Sequence, residues 1–265
     1  MDAPKLRVVD NSRFYIIALA VLVSVAVFAW LRLQTPSDQL LVITTEQVFG
    51  FIAAGALYAT LIISPIRAIF GERKLKRLLY ARRGFGLATF YFAWLHGGIA
   101  LFGQLGGFAD LHFLPSIFLW SLAGGAVALT ILTIMALTPS DQLIPHISYR
   151  AWKSIHRFVY LAGILIILHV WLIGSDITTP IVLVISYSLL VILAGLETAR
   201  AIRAVNHRYH IFDRGASVAL GIMAWVIVAV ALLVMPVFVP NFQTGQAHLG
   251  GHTKSSGLMP EMGDM

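Results

Sequence analysis

The chain contains no cysteine and few charged residues. Among its 265 residues, none is Cys and only 12% are Asp, Glu, Lys or Arg. The absence of cysteine excludes disulfide bonds, thiolate metal sites, iron–sulfur ligation and cysteine nucleophiles. The low charge, 58% hydrophobic residues and a mean hydropathy of +0.84 together predict a membrane protein. The net charge of +7 does not indicate nucleic acid, because the basic residues flank apolar stretches.

Seven apolar stretches are long enough to cross a bilayer as helices, which takes about 20 residues. None of them has the polar face that a helix on the surface of a soluble protein would show. The sequence therefore predicts an all-α integral membrane protein, a bundle of about seven transmembrane helices. The first stretch lacks a small-residue cleavage signal, so we expect a retained signal anchor. The stretches are 14–33, 48–69, 86–106, 116–137, 155–173, 179–199 and 215–239.

The positions of Lys and Arg predict the orientation of the bundle. With the N-terminus in the cytoplasm, all of the 19 basic residues except Arg32 and Lys254 fall on the cytoplasmic side. Basic residues near span ends favour the cytoplasmic side. We therefore expect a multi-pass protein of the cell inner membrane with an external C-terminus. Residues 241–265 are polar and rich in glycine, and are predicted to form a disordered external tail.

Two histidines are the only ionisable residues that this span assignment places far from the ends of a span. His96 lies 12 residues after Gly84, and His169 lies 15 residues after Ser154. At ~1.5 Å per residue both sit in the outer half of the membrane, roughly 18 and 22 Å from the inner edge. An ionisable residue at such depth indicates a functional site. Two imidazoles at one level can supply both axial ligands of a non-covalently bound heme b.

A third histidine, His156, lies near the cytoplasmic surface. It precedes His169 by 13 residues, which places it roughly 20 Å lower on the same helix and about 140° away in azimuth. The matching positions on the third helix are Arg82 and Arg83 rather than a histidine. These charges suit an anionic flavin phosphate or an acidic partner surface, and alternatively they only anchor helix ends. The basic collar around His156 consists of Arg82, Arg83, Arg150, Lys153 and Arg157.

Two readings without redox chemistry stay open at this point. Each histidine could simply hydrogen-bond a neighbouring helix in a scaffold subunit. Alternatively, the bundle could be a transporter or channel whose histidines bind or gate a solute. The lack of carboxylates away from the ends of these spans argues against an ion pump or a proton-coupled transporter.

Two segments resemble the ferric reductase-like transmembrane domain family. They are R-R-G-F-G-L-A-T-F-Y-F-A-W-L-H in the third span and W-K-S-I-H-R-F-V-Y-L-A-G-I-L-I-I-L-H-V-W in the fifth. Within that family the chain is most similar to the heme-binding membrane subunit of the bacterial methionine sulfoxide reductase system. The resemblance implies a heme b electron carrier in which His96, His156 and His169 match that branch's histidines. The domains expected are a cytoplasmic N-terminus at 1–13, the heme-binding transmembrane domain at 14–200, an additional transmembrane helix at 201–240 and the tail at 241–265.

The resemblance implies an oxidoreductase or electron-transfer subunit, and the sequence limits its electron sources. No glycine-rich dinucleotide fingerprint follows a strand, and the last predicted span ends 26 residues before the C-terminus. We therefore expect electrons to arrive from a separate cytoplasmic flavin reductase, from a bound FMN or FAD, or from quinol. The acceptor is expected on the outer face, as a redox partner protein or a metal ion.

Overall fold

The computed structural model describes residues 12–70, 76–138, 148–173 and 180–209, together with positions 221 and 223. Within these residues, six helices are long and apolar enough to cross a membrane, which confirms the all-α, multi-pass prediction. The predicted seventh span at 215–239, apart from those two positions, and the tail at 241–265 lie outside the described residues. The helices are α1 (Ser12–Gln34), α2 (Asp38–Phe70), α3 (Lys76–Gly98), α4 (Ser116–Leu137), α5 (Tyr149–Ile173) and α6 (Pro180–Tyr209).

Helix α2 begins ten residues before the apolar stretch that predicted it, at Asp38. The hydroxyl of Ser37 accepts the backbone N–H of Leu40 at 3.3 Å, so it caps the new N-terminus. One turn later, the Thr44 hydroxyl donates to the Leu40 carbonyl at 2.8 Å. A hydroxyl bonded to the preceding turn needs no water, so polar residues can continue a helix into the bilayer. The early start adds Glu46 to the candidate membrane span Asp38–Ile69.

Helix α3 continues without a break into a π-helical segment, Ile99–Gln104. The backbone N–H of Leu105 donates to the carbonyl of Ala100 at 2.9 Å, which is the five-residue spacing of a π-turn. Gly106 and Gly107 then take φ angles of 71° and 96°, a region that favours glycine. A short 3₁₀ helix, Phe108–Phe113, leads towards α4. The wider turn therefore begins three residues after His96, and π-turns of this kind are frequent at functional sites.

Helix α2 is the centre of the bundle, since it contacts α1, α3, α5 and α6. The second close pair is α4 with α5. One buried cluster joins α1, α2 and α3 through Ala20, Phe49, Ala53 and Phe92. The other joins α2, α4 and α5 through Leu57, Leu61, Ala128, Leu132, Val159 and Ala162. Lipid tails are as apolar as these side chains, so close packing rather than hydrophobicity holds the helices together.

Ala162 offers a direct test of this packing, because its side chain is 0% exposed where α2, α4 and α5 meet. Ala162→Leu should overpack the cluster and lower the free energy of unfolding by about 1–3 kcal/mol. Ala123→Leu, at an exposed position of α4, is the matched control and should change it little. The measurement is thermal unfolding of both purified variants in the same detergent. Equal unfolding midpoints would contradict the packing described for α5.

Candidate functional site

The ring of His96 lies directly against the backbone of α2 at Gly50. A Cβ atom at Gly50 would stand only 2.9 Å from Nδ1 of His96, so a larger residue there would displace the ring. The same Nδ1 lies 3.0 Å from the Glu46 carbonyl oxygen and 2.8 Å from Glu46 Oε1. Both neighbours are acceptors, so Nδ1 carries the proton and donates it. The Glu46 side chain is 14% exposed, which makes it a largely buried carboxylate.

His169 is held in the same manner by α4. A Cβ atom at Gly125 would stand 3.0 Å from Nδ1 of His169. That nitrogen lies 2.9 Å from the Ser121 carbonyl oxygen and 3.0 Å from Ser121 Oγ. The Ser121 hydroxyl donates its own proton to the His169 carbonyl at 2.9 Å, which leaves Oγ free to accept from Nδ1. His169 therefore donates through Nδ1 to two neutral acceptors.

The two helix pairs use one local arrangement. The acceptor residue precedes the glycine by four positions in both cases, as Glu46 with Gly50 and Ser121 with Gly125. Residues four apart lie on one face of a helix, one turn above the other. The glycine therefore makes room for a ring at the level where the acceptor one turn earlier can reach Nδ1. The sequence contains both spacings, but their meaning depends on which helices become neighbours.

The structure brings the His96 and His169 rings together, with centroids 6.1 Å apart and planes at 85°. Within the described residues, neither Nε2 has a hydrogen-bond partner, whereas each Nδ1 has two acceptors. Imidazoles that bind a metal commonly donate their other N–H to a carboxylate or a carbonyl. Two imidazoles that each hold one ion about 2 Å from nitrogen have ring centres roughly 6 Å apart. The pair thus has the donors and the spacing for two axial ligands of one heme iron.

One expectation from the sequence is wrong. His96 and His169 are not the only ionisable groups well inside the spans, because Glu46 lies within the α2 span and pairs with His96. The apolar stretch 48–69 excluded Glu46, whereas the helix extends back to Asp38 through the capped polar turn. A carboxylate therefore does lie within a membrane span, and its expected absence no longer counts against an ion pump or a proton-coupled transporter. The four-residue spacing from Glu46 to Gly50 was the available signal.

His156 belongs to a different part of the molecule. It lines a cavity of about 320 Å³ together with Arg82 and Arg83, and neither His96 nor His169 reaches this lining. Its ring lies over Trp152 at 4.2 Å between centroids, and its Nδ1 is 3.2 Å from the Trp152 carbonyl. Arg150, Lys153 and Arg157, the rest of the basic collar, have exposed side chains and do not line the cavity. The other lining residues include Thr60, Gly86, Thr89, Met135 and Val159.

A polar cluster that the sequence did not reveal ties α6 to α2 and α5. The Tyr160 hydroxyl donates to Glu197 Oε1 at 3.1 Å. The Arg200 guanidinium donates to the Tyr160 hydroxyl and to Ser64 Oγ, both at 3.2 Å, and pairs with Glu197. Arg82 lies within electrostatic range of this cluster. Glu197 and Arg200, near the end of the predicted span 179–199, therefore join three helices.

Comparison with known proteins places these residues in a family. Residues 49–167 match the model described as "Ferric reductase like transmembrane component", a region that contains His96 and His156 and ends two residues before His169. No solved structure matches the chain.

The curated relatives include proteins named as the heme-binding subunit MsrQ of protein-methionine-sulfoxide reductase. That of Xanthomonas campestris pv. campestris (strain B100) is 32% identical over 168 residues, which are 61% of this chain and 75% of the relative. That of Xanthomonas oryzae pv. oryzae (strain MAFF 311018) is 32% identical, over 57% of this chain and 69% of the relative. That of Ralstonia nicotianae (strain ATCC BAA-1114 / GMI1000) is 28% identical, over 56% and 72%. The chain therefore belongs to the ferric reductase-like transmembrane family.

Proposed function

We propose that this protein is an electron-transfer subunit that carries electrons across the cell inner membrane through a heme b held by His96 and His169. The observation that carries the proposal is the adjacent pair of rings, with centroids 6.1 Å apart, in which both Nδ1 groups donate to acceptors of a neighbouring helix. The names of the curated relatives, which are heme-binding subunits, support the same cofactor. A bound heme supplies one-electron chemistry that no amino-acid side chain of this site provides.

The chain's own residues prepare the site for that cofactor. Gly50 and Gly125 let both rings lie against helix backbone, and Glu46 and Ser121 fix the rings by accepting from Nδ1. Fixing Nδ1–H sets the tautomer, so each unprotonated Nε2 is available as a ligand.

The cavity beside His156 is the proposed place where electrons enter from the cytoplasm. Arg82 and Arg83 on its lining suit the phosphate of FMN or FAD, or an acidic surface of a flavin reductase. Its apolar remainder, with Leu57, Leu132 and Val159, would also accept the ring of a quinol. On the outer face, the relatives' name favours a methionine sulfoxide reductase as the redox partner protein, with a metal ion as the alternative acceptor.

Replacing either ligand should remove the heme signature. His96→Ala and His169→Ala are each expected to abolish the low-spin bis-histidine absorption spectrum of the purified protein, because one imidazole alone cannot provide both axial ligands. His112→Ala, on the exposed 3₁₀ segment, is the control and should retain it. Wild-type spectra and heme content in both ligand variants would contradict the assignment. A colourless wild-type protein that still folds would instead favour a transporter or scaffold with structural histidines.

Electron delivery from the cytoplasm should depend on His156. His156→Ala should slow heme reduction by a cytoplasmic flavin reductase severalfold while leaving the heme spectrum intact, since His156 lines the inner cavity and not the histidine pair. Arg157→Ala, next in sequence but exposed, is the matched control for loss of a nearby basic group. Stopped-flow reduction in oriented vesicles, with the donor added to each face in turn, measures this. Identical rates in wild type and His156→Ala would contradict the proposed entrance.

The orientation can be tested without removing any native thiol, because the chain has no cysteine. Ser37→Cys lies in the α1–α2 connection and Ser148→Cys lies just before α5. With the N-terminus in the cytoplasm, a membrane-impermeant maleimide applied to spheroplasts should label Ser37→Cys and leave Ser148→Cys unlabelled. After permeabilisation both should react. Labelling of Ser148→Cys alone in intact spheroplasts would reverse the proposed topology.

A further inference from the structure

Glu46 makes the surroundings of the two facing histidines electrostatically unequal. His96 donates to a carboxylate oxygen at 2.8 Å, whereas His169 donates to a carbonyl and a hydroxyl. The rest of the arrangement is alike, since each ring lies against a glycine four residues after its acceptor. The difference between the two halves of the site is therefore one negative charge.

That charge has no basic side chain to neutralise it in the part of the chain that the structure describes. The only ion pair of Glu46 among those residues is with His96. By contrast, Glu197 pairs with Arg200, and the exposed Asp38 pairs with Arg32. Because the Glu46 side chain is only 14% exposed, water screens its field weakly, and its effect on a neighbouring charge is larger than at the surface.

We propose that Glu46 is a positioning residue that lowers the reduction potential of the heme through His96, an inference that rests on the proposed function. A carboxylate acceptor draws the Nδ1 proton towards itself and makes the imidazole a stronger electron donor. A stronger donor and a nearby negative charge both favour the ferric state over the ferrous state, so the potential falls. Axial ligands and their hydrogen bonds are the means by which a protein tunes a heme.

Both proposed ligands are histidines, and Glu46 makes one of them a stronger electron donor than the other. The strongly donating ligand comes from α3 and the weaker one from α5, each supported by its own helix neighbour, α2 or α4. Glu46 lies outside the region that matches the family model, which begins at residue 49.

The test is an equilibrium redox titration of purified heme-loaded protein. Glu46→Gln keeps an oxygen acceptor of almost the same shape but removes the charge, and it should raise the midpoint potential while the low-spin spectrum stays. Glu46→Asp, which restores the charge with a shorter reach, should return the potential towards the wild-type value. Asp38→Asn, which removes an exposed carboxylate from the same helix, is the control and should shift the midpoint potential much less.

Each outcome separates this inference from the proposed function. An unchanged potential in Glu46→Gln, with the bis-histidine spectrum present, overturns the role of Glu46 and leaves the heme assignment standing. Loss of heme from both Glu46→Gln and Glu46→Asp shows that Glu46 only holds the ring, and also overturns the tuning role. A wild-type protein without a bis-histidine spectrum overturns the proposed function itself.

Discussion

The site depends on one contact that occurs twice. An imidazole ring lies against a glycine of a neighbouring helix, and its Nδ1 donates to the carbonyl oxygen one turn earlier in that helix. In hydrocarbon an imidazole N–H without a partner is costly, because no water is available to accept it. The helix carbonyl can accept a second hydrogen bond, since its oxygen has two lone pairs. Glycine lets the ring come this close, since a Cβ atom would stand 2.9 Å from Nδ1 at Gly50 and 3.0 Å from Nδ1 at Gly125. This contact orients both histidines and also brings α2 close to α3 and α4 close to α5.

Because this contact occurs twice, a bundle without obvious sequence repeats holds two histidine rings in the same local arrangement. Glu46 with Gly50 and Ser121 with Gly125 are separate solutions to the same steric problem, on helices otherwise unlike in length and sequence. The two contacts share their geometry but differ in chemistry, because the Glu46 side chain is ionisable and the Ser121 side chain is not. The π-helical segment Ile99–Gln104 widens the helix just after His96. The part of the bundle that holds the histidine pair is thus organised separately from the part that holds the His156 cavity.

The part of the bundle around His156 combines a cavity with a polar cluster. His156, Arg82 and Arg83 share one lining, and the Tyr160–Glu197–Arg200 cluster lies within electrostatic range of Arg82. Hydrogen bonds across helices stabilise membrane bundles modestly, by about 0.6 kcal/mol on average. Their value here is that they join α6 to α2 and α5 without closing the cavity. The histidine pair and the cavity are therefore built on the same helices but from different residues.

The sequence by itself determined the membrane class, the six described spans, and the shared depth of His96 and His169. These follow from apolar length and helical rise, which are local properties. It also contained the motifs through which the family was recognised. Hydropathy could not place the start of α2, because the capped polar turn before residue 48 continues the helix without being apolar. Only the tertiary structure paired Glu46 with His96 and Ser121 with His169. It also showed that, of the basic residues predicted around His156, Arg82 and Arg83 line its cavity whereas the other three are exposed. Those pairings depend on which helix faces touch, and the contacts that decide this join residues about 50 positions apart in the chain.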